Sequence, residues 1–140
     1  MLAAQKLGGI TWGDTDLSFS LERHDGSLVC ERCLLAETPL TRLRGLLGRA
    51  GLERGEGLLL RPASSIHMWF MRFPIDAVFL DREHRVLRVV EHLAPWRVAG
   101  CRGAKAVIEL PAGEAARVGL VAGERVFLRP AGPEPAARAA

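Results

Sequence analysis

Within the thirteen residues from Ser64 to Asp76 the chain sets one histidine, one tryptophan, two phenylalanines, two methionines, one arginine and one carboxylate. The chemistry open to that set is acid–base work or recognition. His67 could act as a general base or a ligand, with Asp76 as its orienting carboxylate and Arg72 as an anion clamp. Trp69 and its neighbours would wall an apolar pocket. The same residues also admit a purely structural reading. The aromatics would then be core, His67 a hydrogen-bonded buried imidazole, and Arg72 with Asp76 an ion pair or turn cap. In extended geometry His67, Trp69 and Met71 share one face and Ile66, Met68 and Phe70 the other, so both faces read as buried. Pro74 cannot donate to a sheet ladder, which predicts a break there and a new strand carrying Asp76.

Other chemistry is less well supported. Cys30 and Cys33 form a Cys-x-x-Cys pair, but a strand sends residues three apart to opposite faces, with Cα atoms about 10 Å apart and out of disulfide reach. A redox pair should open a helix, and zinc wants a second closely spaced ligand pair, which Cys101 with His24 or His92 does not supply. The thiols therefore read as buried and inert, and neither metal nor cofactor is expected. The chain has no phosphate-binding loop, Gly-x-Ser-x-Gly elbow or His-Glu-x-x-His pair. Arg42, Arg44, Arg49 and Arg54 could gather into a phosphate-binding patch. Without a helix-turn-helix, RNA-recognition aromatics or a lysine-rich arm, they read as a solvated face.

The elements that must position these residues follow from periodicity. Residues 17–23 alternate apolar Leu17, Phe19 and Leu21 with polar partners, a half-buried strand. Asp25-Gly26 predicts a primed turn into a second strand from Ser27 to about Leu35. Thr38-Pro39 is a helix start and Gly48 a stop, with Leu40, Leu43, Leu46 and Leu47 on one face, so a helix is predicted over 38–47. Strand-like runs follow at 58–61, 66–71, 75–80 and 86–90, with 81–85 as an exposed hairpin loop. Closing strands are predicted at 106–110 and 125–128 around a helical turn near 114–118. Pro95 and the stretch Gly100 to Gly103 read as interruptions, and 85–91 as an exposed edge open to partner pairing.

Composition bounds what such a chain can do. With 140 residues, 49% apolar and 25% charged, it can bury one core. The domain is placed at 17–129, after an N-terminal extension over 1–16 and before a disordered Pro/Ala-rich tail over 130–140. The net charge of +3 is mild, and nearly all the cations are arginine amid abundant Ala, Gly and Pro, so codon bias explains the basicity without a nucleic-acid partner. The opening residues lack a sustained apolar core and a cleavage site. No stretch reaches the roughly 18 apolar residues of a membrane span, and three cysteines are an odd number. These features predict a reduced, cytoplasmic protein.

Five blocks carry a resemblance. They are Leu43 to Arg49, Gly55 to Leu60, Ser65 to Asp81, Val107 to Gly113 and Gly119 to Glu124. In that order they resemble the prokaryotic domain-of-unknown-function family 192, over roughly residues 28 to 128. The resemblance implies a small β-rich domain with a helix. It transfers no agreed catalytic set, and it directs attention to His67 through Asp76 and to Arg44-Gly45.

Together these readings predict an α+β protein: a mainly antiparallel sheet curled toward a small barrel, with one or two short helices. The expected function is a ligand-binding or accessory module, its partner a small molecule or protein. Its aromatic-lined groove would run around His67, Trp69, Arg72 and Asp76, with Arg44 and Arg97 as further candidates. The alternative is a small hydrolase or transferase using His67 and Asp76 as an acid/base pair.

Overall fold

The computed structural model describes residues 5–7, 10–12, 18–36 and 51–130. In chain order the strands are β1 (Gln5–Leu7), β2 (Ile10–Trp12), β3 (Ser18–Arg23), β4 (Leu28–Ala36), β5 (Glu56–Leu60), β6 (Ser65–His67), β7 (Ile75–Leu80), β8 (Val86–Leu93), β9 (Val98–Gly100), β10 (Ala106–Pro111) and β11 (Val126–Pro130). One helix, α1 (Glu114–Val118), stands between β10 and β11. The protein is thus mostly β, and "α+β" describes it only loosely. The predicted helix over 38–47, with Arg44, lies outside the described residues. The N-terminal extension holds the small β1–β2 hairpin, and Pro130 closes β11 instead of opening a tail.

Seven strands form one sheet in the order β11-β3-β4-β5-β10-β7-β8. Its neighbours are antiparallel except β4 and β5, which run parallel. A parallel step needs a crossover connection, here between Ala36 and Glu56. The two edge strands bend toward each other. Arg85 and Arg125 form a bridge, Val86 N–H donates to the Glu124 carbonyl (2.8 Å) and Val126 N–H to the His84 carbonyl (3.0 Å). The sheet is a curled half-barrel whose seam begins to close at that corner.

The core lies on both faces of this sheet, a feature that a single-core reading misses. Along β7, Ile75, Ala77 and Phe79 join one apolar cluster, while Val78 and Leu80 join the other. In β5, Leu58 and Leu60 face the first and Leu59 the second. Such strands read as continuous apolar runs because both pleat faces are dry. The second cluster takes Leu21, Val29, Val86 and Val126 from the strands near the seam, with Ala115 of α1. The first is capped by Ile66, Met68, Met71 and Phe73, by Ala99 of β9 and by Leu93 of β8.

Three local expectations are corrected. The β3–β4 turn is not a primed two-residue turn: Gly26 N–H returns to the Arg23 carbonyl (2.9 Å), Arg23 N–H takes the Ser27 carbonyl (2.9 Å), and in this loop only Gly26 is at positive φ (87°). It is a three-residue loop ending in a left-handed glycine. Cys30 and Cys33 do not face apart. The register shifts between Phe19 and Leu21, which pair with Cys33 and Cys30, so β4 carries a bulge residue and both thiols enter the same core cluster. The run 66–71 is strand only as far as His67.

Candidate functional site

Past β6 the chain makes a turn in which Met71 N–H donates to the Met68 carbonyl (3.3 Å); before β9 a second turn has Arg97 N–H on the Ala94 carbonyl (3.3 Å). Met68 ties the two together. Its N–H donates to the Arg97 carbonyl and its carbonyl accepts Trp96 N–H, each at 2.8 Å, extending the β6–β9 pairing of Ile66 with Ala99 and His67 with Val98. The third residue of each turn is at positive φ: Phe70 at 66° and Trp96 at 68°. Glycine or asparagine is favoured there, because a Cβ meets the backbone. Pro95 suits the second position of its turn; a tryptophan after it does not.

The consequence is a cluster of rings facing outward. Trp69 is 38% exposed, Trp96 56%, Phe70 64% and the adjoining Val98 59%. His67 stacks on Trp69 with centroids 5.4 Å apart. Trp69 meets Trp96 at 5.9 Å, and Phe70 meets Trp96 edge-on at 5.0 Å. His67 Nδ1 accepts the Trp69 N–H at 3.4 Å, a long contact. Met68 and Met71, between these rings in sequence, point the other way into the core. One short segment therefore holds both a buried apolar foot and an exposed apolar face.

Asp76 does not join His67. It is fully buried in β7, and its oxygens accept three backbone N–H groups: His92 (2.9 Å) on Oδ1, Gly113 (3.0 Å) and Ala115 (2.9 Å) on Oδ2. The carboxylate fastens the turn before α1 and the bend in β8 to the central sheet, so the orienting role expected for it does not match its contacts. Arg72 and Arg97 are both exposed. Among the described residues neither has a carboxylate partner, and Asp76 with Arg72 is not an ion pair.

Away from the rings, a concavity of about 260 Å³ opens beside Leu28, Cys30, Glu31, Arg54, Gly55 and Arg117. Its two guanidinium groups converge on Glu114, Arg117 at 2.8 Å and Arg54 at 3.5 Å, and these contacts hold the Glu114 carboxyl below its ordinary range. Of the arginines read as a solvated face, Arg54 is thus paired with Glu114, while Arg42, Arg44 and Arg49 lie outside the described residues. Cys30 Sγ contacts the Gly55 carbonyl at 3.4 Å. The Cys33 thiol is pushed well above its ordinary value by the hydrogen bond it shares with Cys30 and by burial, the state of an unreactive thiol. Among the described residues no three His, Cys, Asp or Glu side chains converge in a metal-holding group.

The sequence names His67, Trp69, Arg72, Asp76, Arg44 and Arg97 around a groove; the structure sets His67 and Trp69 in an exposed ring cluster with Phe70 and Trp96, beside Val98, three residues the sequence does not single out. Pro95-Trp96 was the available signal, since Pro at the second position of a turn puts its successor at the tip.

Residues 21–128 match the DUF192 family profile, described as "Uncharacterized ACR". The chain belongs to the DUF192 family. A UPF0127 protein from Thermococcus sibiricus is 33% identical over 98 residues, 66% of this chain and 63% of the relative, so the match spans less than two thirds of that protein's length. A protein of unknown function from Novosphingobium aromaticivorans has a similar crystal structure, with TM-score 0.71 and 24% identity over 89% of this chain and 91% of that one. A "putative transcription regulator" from Sinorhizobium meliloti gives TM-score 0.66 at 21% identity, over 91% and 97%. At these identities the two structures establish the shared fold alone. For this DUF192 chain, function has to be argued from its own surface.

Proposed function

We propose that this DUF192 domain is a cytoplasmic binding module, and that its recognition surface is the ring cluster of His67, Trp69, Phe70 and Trp96, flanked by Arg72 and Arg97. One observation carries the reading. Two bulky aromatics occupy turn positions that favour glycine, at a cost of about 1 to 3 kcal/mol each, yet both rings stay largely in solvent. Neither local propensity nor burial accounts for them. Strain spent to display apolar surface fits selection for contact with something outside the chain. The acid/base alternative lacks its carboxylate, since Asp76 serves three backbone amides.

The test uses an amphiphilic aromatic anion, anilinonaphthalene sulfonate, as a probe of the native surface. The folded wild type is expected to bind it, and Phe70→Asn/Trp96→Asn to lose most of that binding while staying folded. Equal probe binding by both proteins would remove the assignment.

A further inference from the structure

The two segments that build the ring cluster share a charge pattern. Residues 61–75 and 92–108 contain no Asp or Glu, but carry Arg61, Arg72, Arg97, Arg102 and Lys105. The fold separates these cations. Arg61 lies close enough to His84 to depress its pKa, and Lys105 N–H bonds the Leu80 carbonyl, so both sit toward the opposite end of β7. Arg97 stands between Trp96 and Val98, and Arg72 two residues after Phe70. Arg88 of β8 reaches the Gly100 carbonyl of β9 at 2.6 Å. Of the carboxylates that flank the two segments, Asp76 and Glu109 are buried, and Glu91, next to His92 in β8, is exposed.

Resting on the binding-module reading, we propose that this surface docks on an anionic phospholipid membrane. Trp69, Phe70, Trp96 and Val98 would enter the headgroup and upper acyl region, with Arg72 and Arg97 on lipid phosphates. Amphipathic rings and arginine favour that boundary, where apolar bodies leave water and cations stay near negative charge. The ring arrangement supports lipid over a nucleic-acid strand. Base stacking favours ring faces presented in parallel along a strand, whereas here His67 already stacks on Trp69, and Trp96 meets Trp69 at a tilt and Phe70 edge-on. The exposed patch also includes Val98, which stacks with nothing and suits an acyl environment. Such docking needs no spanning segment; among the described residues no helix is long and apolar enough to cross a membrane.

The experiment is sedimentation of the full chain with vesicles of phosphatidylcholine alone and of phosphatidylcholine mixed with phosphatidylglycerol, read alongside tryptophan emission. Two of the chain's three tryptophans are in the cluster. The expected result is binding to the phosphatidylglycerol vesicles with a blue shift, weakened by salt. Arg72→Gln and Arg97→Gln should each lower affinity about fivefold, and Phe70→Asn/Trp96→Asn about tenfold or more. Absence of binding to anionic vesicles would overturn the proposal, as would unchanged binding by the ring variant. So would tighter, ring-dependent binding of a uridine oligonucleotide. In each case the naphthalene probe would separately show whether the surface binds anything apolar, so loss of the lipid proposal and loss of the module are distinguishable.

Discussion

At the scale of single residues, the carboxylate that reads as catalytic in the sequence is an anchor. Asp76 is fully buried, so Asp76→Ala takes the acceptor from a buried N–H at Ala115 and from part-buried ones at His92 and Gly113, which can recover water in part. Each costs about 1 to 3 kcal/mol, and a total loss of roughly 3 to 5 kcal/mol is expected from urea unfolding. A loss below about 1 kcal/mol would contradict the anchoring role. The cysteines give a second residue-scale expectation. Cys101 is partly exposed while Cys30 and Cys33 are buried, and the Cys33 thiol is held in its protonated state. Iodoacetamide near pH 8 should label Cys101 in the native protein and the other two only after denaturant is added. Labelling of Cys33 in the folded state at a rate matching Cys101 would show that the bulged strand opens.

Elements were legible where one face alternates or both faces are apolar. The strands at 75–80 and 106–110, the helical turn at 114–118 and the loop at 81–85 follow from such patterns and stand where periodicity puts them. Two kinds of feature escaped. A β-bulge changes the face of every later residue without altering composition, which is why Cys30 and Cys33 meet in one cluster. The segment after His67 is as apolar as a buried strand, yet it divides Met68 and Met71 from Trp69 and Phe70 through a turn that pattern alone does not reveal. Likewise, His67, Trp69, Arg72 and Arg97 could be picked from residue type. Phe70 and Trp96 could not, because their significance is a backbone angle. His84 closes the 81–85 loop at φ 65°. Burial, followed by the charges of Arg61 and Arg125, holds its pKa below the ordinary 6.5. A depressed folded value means that the native state resists protonation. His84 should therefore cost the fold nothing above about pH 6.5. It should then erode stability progressively as pH falls below that point and through the folded value. His84→Asn keeps a residue that tolerates positive φ and removes the titration. Its unfolding free energy should stay flatter than wild type between pH 6.5 and 5, and parallel curves would contradict this.

For the whole molecule, the half-barrel divides its labour between two faces and one margin. The sheet's seam side is closed by α1 and by Arg23, which reaches Glu124 at 2.8 Å and the Val118 and Gly119 carbonyls at the end of the helix. Cationic contact there suits the negative end of the helix. Glu114, at the other end of α1, is held below its ordinary 4.5 by Arg117 and Arg54. Its contribution is present above about pH 4.5 and is lost as pH falls through the lower folded value, a window separate from that of His84. The opposite side is closed by the β6–β9 ribbon, whose inner residues complete the core and whose turns carry the rings outward. On the binding-module proposal these rings serve contact and not stability. The most direct measurement is the unfolding free energy of Phe70→Asn/Trp96→Asn against wild type at neutral pH. Replacing both aromatics by a residue suited to positive φ relieves about 1 to 3 kcal/mol at each, offset by the lost ring contacts at about 0.5 to 1.5 kcal/mol each, so stability should be unchanged or raised by up to about 3 kcal/mol. A loss beyond about 2 kcal/mol would make the cluster part of the fold and contradict the account.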